Sequence, residues 1–114
     1  MPRFVVLEHD WPAPHLDLFL DAGAALLAWK LPADFSPLIP AVILPNAPHR
    51  RDYLDHEGAV SDGRGVALRW DYGEYEWLVQ SEDVLKANFA GQVLNGSFEW
   101  RKSCSGEWTF RKVT

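Results

Sequence analysis

One cysteine, Cys104, is the only thiol in the chain. No internal disulfide can form, and with no second cysteine or nearby histidine beside it a zinc–thiolate site is excluded as well. Its expected place is as a small side chain late in a strand. Long hydrophobic runs are missing too: no stretch approaches the roughly 20 apolar residues that span a bilayer. The opening residues carry no basic leader and no small-residue cleavage site. A cytoplasmic protein with no membrane partner is expected. Basic residues are in the minority, 11 Lys and Arg against 16 Asp and Glu, for a net charge of -5. That balance argues against gripping nucleic acid by bulk charge, which needs a basic surface. It leaves a local basic patch or a bound cation as the means of meeting phosphate. A phosphate-cradling glycine loop is absent: "DGRG" at 62–65 lacks the following lysine and helix and reads as a turn. Ser36, Ser61, Ser97 and Ser103 lie in no nucleophile-elbow context, so serine-hydrolase chemistry is not indicated.

What the chain does have is apolar and aromatic material. Of 114 residues, 47% are hydrophobic and six are tryptophan, which predicts one folded domain over 1–114 and a monomer. Trp70, Trp77, Trp100 and Trp108 recur at strand positions and are expected in the core, with base stacking as the minor alternative. Residues 3–9 (RFVVLEH) predict a strand ended by the two prolines of 10–14. HLDLFLD at 15–21 alternates cleanly, with Leu16, Leu18 and Leu20 on one face and His15, Asp17 and Phe19 on the other. Asp-Ala-Gly at 21–23 then turns the chain into a return strand, ALLAWKL at 25–31. Five of the eight prolines fall between Pro32 and Arg50, predicting an irregular connection with a short strand at 41–44. One helical turn is expected within 49–56. GVALRWD and EYEWLVQ read as a hairpin about a Tyr72-Gly73 turn, and three further strands follow within 83–90, 92–102 and 107–113. About eight short strands with one or two short helical turns predict an all-β fold, a small antiparallel barrel or sandwich.

Residues two apart on a strand share a face at roughly 6.6 Å. His15 and Asp17 can therefore reach one cation, and His9, at the end of the preceding strand, can supply a third ligand if the two strands pair. Two imidazoles and a carboxylate suit manganese, iron or zinc. Spacing alone equally allows surface histidines and an outward aspartate. His49-Arg50-Arg51-Asp52-Tyr53 is likewise either a solvated turn or an imidazole, guanidinium and phenol presented to an anion.

Taken together, these segments resemble the 3'-phosphoesterase domain of bacterial DNA ligase D and its stand-alone relatives. The family's H-D-x-x-x-x-H-x-D-x-R motif is met by His9-Asp10, His15 and Asp17, with Phe19 in the place of the arginine. Its H-P-L-D-Y and F-E-G are similar to His49-Arg50-Arg51-Asp52-Tyr53 and His56-Glu57-Gly58. Its W-D-x-G-x-W is similar to Trp70-Asp71-Tyr72-Gly73-Glu74-Tyr75, and VLKANFAGQVLNGSFEWRK resembles its paired late strands. The resemblance implies a β-barrel with the active site on its open face. It implies a Mn2+-dependent enzyme, with Zn2+ or another divalent cation as alternatives, that trims ribonucleotides and phosphates from nucleic-acid 3' ends alongside end-joining repair proteins. By position, His9, His15 and Asp17 would hold the metal, and His49 and Tyr53 would contact the scissile phosphate; His56 is structural. Phe19 cannot clamp phosphate, Leu7 and Ala47 replace polar neighbours, and the segment from Gly58 to Trp70 is short. Arg50, Arg51 and Arg64 are the candidates to replace the missing cation. Two other readings remain: a non-catalytic metal- or nucleic-acid-binding module of the same fold, and an enzyme acting on a small phosphodiester.

Overall fold

Leu16, Leu18 and Leu20 are buried, and so are His15, Asp17 and Phe19 that alternate with them. A strand buried on both faces needs a layer on each side, and this chain builds both. The computed structural model describes residues 2–114. Nine antiparallel strands run in chain order: β1 (Arg3–His9), β2 (His15–Asp21), β3 (Leu26–Pro32), β4 (Ala41–His49), β5 (Gly58–Ala59), β6 (Val66–Gln80), β7 (Val84–Ala90), β8 (Asn95–Lys102) and β9 (Trp108–Lys112). A 3-10 turn, Arg51–Leu54, lies between β4 and β5. The sheet order is β1-β2-β3-β4-β9-β8-β7-β6-β5, and β6 also pairs with β1, so eight strands close into a barrel-like ring with β5 added to the start of β6.

Inside the ring, Phe4, Val6, Leu18 and Leu20 meet Trp29, Phe89, Phe98, Trp100 and Phe110. Trp100 is fully buried, Trp108 is buried, and Trp70 and Trp77 pack against this core, so the tryptophans of the strands are core residues. The opposite faces of β1, β2 and β3 carry a second apolar cluster, in which Val5, Leu7, Phe19, Leu26 and Ala28 are covered by Leu54, Val60 and Ala67, with Tyr53 packed against it. Residues 50–65 are thus an outer layer over the barrel wall. Burying each such Leu or Phe contributes about 1.5–3 kcal/mol.

Three expectations change. Tyr72-Gly73 is not a turn: β6 runs straight through it, its first half pairing with β1 and its second with β7. Gly73 is required because a Cβ there would strike the carbonyl oxygen of Ala90. The proline-rich stretch after 40 is a strand as far as His49: Ala41 to Ile43 pair with β9, and from Leu44 onward β4 pairs with β3 and no longer with β9. Pro45 and Pro48 are tolerated on that edge because no N–H is wanted from them there. Cys104 is exposed in the turn between β8 and β9, not in a strand. Trp70 sits where the β1–β6 register slips, a bulge between the Leu7–Arg69 and Val6–Asp71 pairs. No helix of the described residues is long and apolar enough to cross a membrane.

Candidate metal centre

His9 closes β1 and His15 opens β2; the two are direct cross-strand partners, so their rings share a face and stand 5.1 Å apart. Asp17, two residues along β2, is on the same face. One ligand atom from each of His9, His15 and Asp17 falls within 4.8 Å of the others. His9 Nδ1 is 3.4 Å and His15 Nε2 is 3.2 Å from the Asp17 carboxylate.

The far side of each ring decides what these atoms are. His9 Nε2–H donates to the carbonyl oxygen of Arg64 at 2.7 Å, and His15 Nδ1–H donates to that of Ala13 at 2.8 Å. A carbonyl only accepts, so in the neutral rings His9 Nδ1 and His15 Nε2 are lone pairs. They face an anionic carboxylate. Three acceptors brought together this closely repel unless positive charge lies among them, from a metal or a proton. An imidazole whose second nitrogen is held by a backbone carbonyl is the usual arrangement of a metal ligand. The donor set of two nitrogens and one oxygen therefore fits a divalent cation.

The backbone that receives His9 is itself fixed. Asp10 Oδ1 accepts the N–H of Val66 at 2.8 Å, and Val60 N–H donates to the Gly65 carbonyl at 2.8 Å. Gly65, at φ +79°, has room for no Cβ because Asp10 and Trp11 press on it. Asp10 thus holds the 60–66 loop in place and lies outside the His9–His15–Asp17 group.

The other wall of the same pocket joins the outer layer to β2, β3 and β4. His49, Tyr53, Phe19, Arg64 and Lys30 line it together with His9, His15 and Asp17. His49 Nδ1–H donates to the Ala47 carbonyl at 2.7 Å, leaving Nε2 as the free lone pair in the neutral ring. Phe19 is buried beneath, its ring 4.9 Å from that of His49 and 5.8 Å from that of Tyr53. Its neighbours are apolar, so the position is part of the outer core and a platform for the two rings.

Of the three arginines considered as substitutes, one reaches the pocket. Arg64 lines it, with its guanidinium tied to the Ser61 carbonyl at 3.0 Å and the Ser61 hydroxyl at 3.1 Å. Arg51 instead makes a two-pronged ion pair with Asp21, at 3.0 and 2.8 Å, that pins the 3-10 turn to the end of β2. Arg51 raises no charge toward the pocket; it holds Tyr53's turn down and keeps the Asp21 carboxyl below the usual carboxylate range. Arg50 is exposed beside Asp52, 3.7 Å away. His56 does not line the pocket; its ring packs 5.4 Å from Tyr53, and its buried Nε2 has no hydrogen-bond partner.

Two polar pocket residues escape a reading by motif: Lys30 and Asn46. Lys30 is the cross-strand partner of Asp17. The hairpin turn at 22–25 would have revealed that register, since an antiparallel pair with a known turn fixes which residues oppose each other. Asp71, from the Trp70-Asp71 motif, has a purely structural task. Its buried carboxylate accepts the N–H groups of Gln92, Val93 and Leu94 at 2.9, 3.1 and 2.8 Å. No protein-family model matches the chain, and no curated protein matches it.

Proposed function

We propose that the chain is a metal-dependent phosphoesterase that processes the 3' ends of nucleic acid, releasing a terminal phosphate or ribonucleotide. The observation that carries this reading is one pocket holding both halves of such a site. On one wall, two histidines oriented by backbone carbonyls converge with Asp17; on the other stand His49 and Tyr53. His9, His15 and Asp17 would hold the cation. Bound there, a divalent metal supplies charge neutralisation for phosphate oxygens and activation of water. His49, with one nitrogen committed to Ala47, keeps the other to stabilise the transferring group or protonate the leaving oxygen. The Tyr53 hydroxyl has no hydrogen bond among the described residues and is free to donate to a phosphate oxygen. The residue pattern shared with the ligase-linked 3'-phosphoesterases supports this choice of reaction and of manganese.

The test combines metal analysis with turnover on primer-templates ending in a 3'-phosphate or a ribonucleotide, with and without Mn2+. About one equivalent of metal and Mn2+-dependent release are expected, both lost in His15→Ala. Metal binding without turnover on either end, or on a small phosphodiester, would favour the second reading, a non-catalytic metal-binding module. The absence of a strand-borne arginine at Phe19 and the net charge of -5 are what support that alternative.

A further inference from the structure

Lys30 is a cation without a counterpart. It stands on the outer face of β3, directly opposite Asp17 across the β2–β3 pairing, so both side chains leave the sheet on the same side. It is half-buried, it lines the pocket, and it makes no hydrogen bond or ion pair among the described residues. Partial burial of an ammonium costs free energy that a partner normally offsets. Among the described residues the other cationic side chain on the pocket wall is Arg64, which already has its guanidinium on Ser61, with Asp62 3.9 Å away.

We propose that Lys30 is a substrate-binding residue whose ammonium takes a non-bridging oxygen of a phosphate ester held at the His9–His15–Asp17 centre. The location suits the task. Asp17 lies among the candidate ligands and Lys30, its cross-strand neighbour, lines the same pocket, so an anion held there can be shared between metal and ammonium while the carboxylate stays on the metal. In a chain of net charge -5, the local positive field of Lys30, Arg64 and a divalent cation is what admits an anion to this pocket. A phosphate group, monoester or diester, is the ligand class, because three or two non-bridging oxygens can be divided between metal and ammonium. The consequence for turnover rests on the phosphoesterase reading; the binding role does not.

Inorganic phosphate is titrated by calorimetry into the protein loaded with one equivalent of Mn2+, for wild type, Lys30→Met and Lys30→Arg. Loss of one charge-assisted hydrogen bond should weaken phosphate about ten- to a hundred-fold in Lys30→Met. Lys30→Arg should bind phosphate within a few-fold of wild type, and all three proteins should hold the metal equally and melt alike. On a turned-over substrate, Lys30→Met should raise KM far more than it lowers kcat. Phosphate binding by Lys30→Met equal to wild type, or no phosphate binding by the loaded wild type, overturns the proposal. Phosphate binding that depends on Lys30 in a protein with no turnover upholds it and removes the phosphoesterase reading instead.

Discussion

Phe19 is the residue at which sequence and structure pull apart most. Aligned by motif, it is an arginine position, and restoring the arginine would be the obvious repair. In the folded chain it is 2% exposed, among Val5, Leu7, Ala28, Leu54 and Val60, and it supports the rings of His49 and Tyr53. A guanidinium placed there is desolvated among apolar side chains, and the carboxylates two positions to either side on the same face are already engaged, Asp17 by His9 and His15 and Asp21 by Arg51. Phe19→Arg should therefore lose about 3–5 kcal/mol of stability, as an uncompensated buried charge does, and should not raise turnover. Phe19→Leu keeps the apolar fill and should cost only about 1–1.5 kcal/mol. Urea denaturation of the two variants beside wild type measures both. The His9, His15 and Asp17 group is the opposite case. Its members are separated by one short loop, so local spacing already brings them together, and the ring orientations add the carbonyl partners that spacing cannot show.

Among the elements, the 3-10 turn is the one on which half of the site depends. It carries Tyr53 and follows His49 directly, and its link to the barrel wall is Arg51 on Asp21, with Arg3 on Asp55 at 2.8 Å just beyond it. The guanidinium of Arg51, hydrogen-bonded to it, holds the Asp21 carboxyl below the usual range, and the Gly23 N–H reinforces this. A carboxyl whose folded value is lowered contributes stability that is present in full above the unfolded value, about pH 4, and is lost as pH falls through the lowered one. Asp21→Asn should accordingly be less stable than wild type at neutral pH. The difference between their denaturation midpoints should close on acidification. If the turn is released, KM for substrate should also rise in Asp21→Asn while metal affinity stays unchanged, because the ligands sit on β1 and β2. The strand β2 was legible from its alternation, and β3 from the Asp-Ala-Gly turn that precedes it. The continuity of β6 was not, because a glycine between two strand patterns reads as punctuation and only the neighbouring Ala90 backbone shows why it is there.

For the whole molecule, closure of the ring is the decisive event. β6 pairs with β1 at its start and β7 at its end, and the bulge at Trp70 turns both Trp70 and Asp71 toward the interior side. Asp71 then fastens the β7–β8 turn by three N–H groups. Removing that acceptor strands donors that burial has cut off from water. Asp71→Ala should cost about 3 kcal/mol or more, with Asp71→Asn intermediate. Thermal denaturation reads the effect, and in both variants the metal site, at the far end of β1, should keep its affinity while the fold survives. Such a separation would show that this motif residue serves the barrel and has no place in the chemistry.

By itself, the order of residues determined the all-β character, the inward leucines of β2 and the three metal-ligand candidates. Each depends on periodicity or on neighbours a few positions away. Tertiary structure alone decided that β2 is buried on both faces, that Phe19 is a platform, that Arg51 is an anchor, and that Lys30 has no hydrogen-bond or ion-pair partner among the described residues. Those outcomes follow from strand register and from an outer layer contributed by residues 50–65. Contacts between segments that far apart in the chain leave no local pattern from which they can be read.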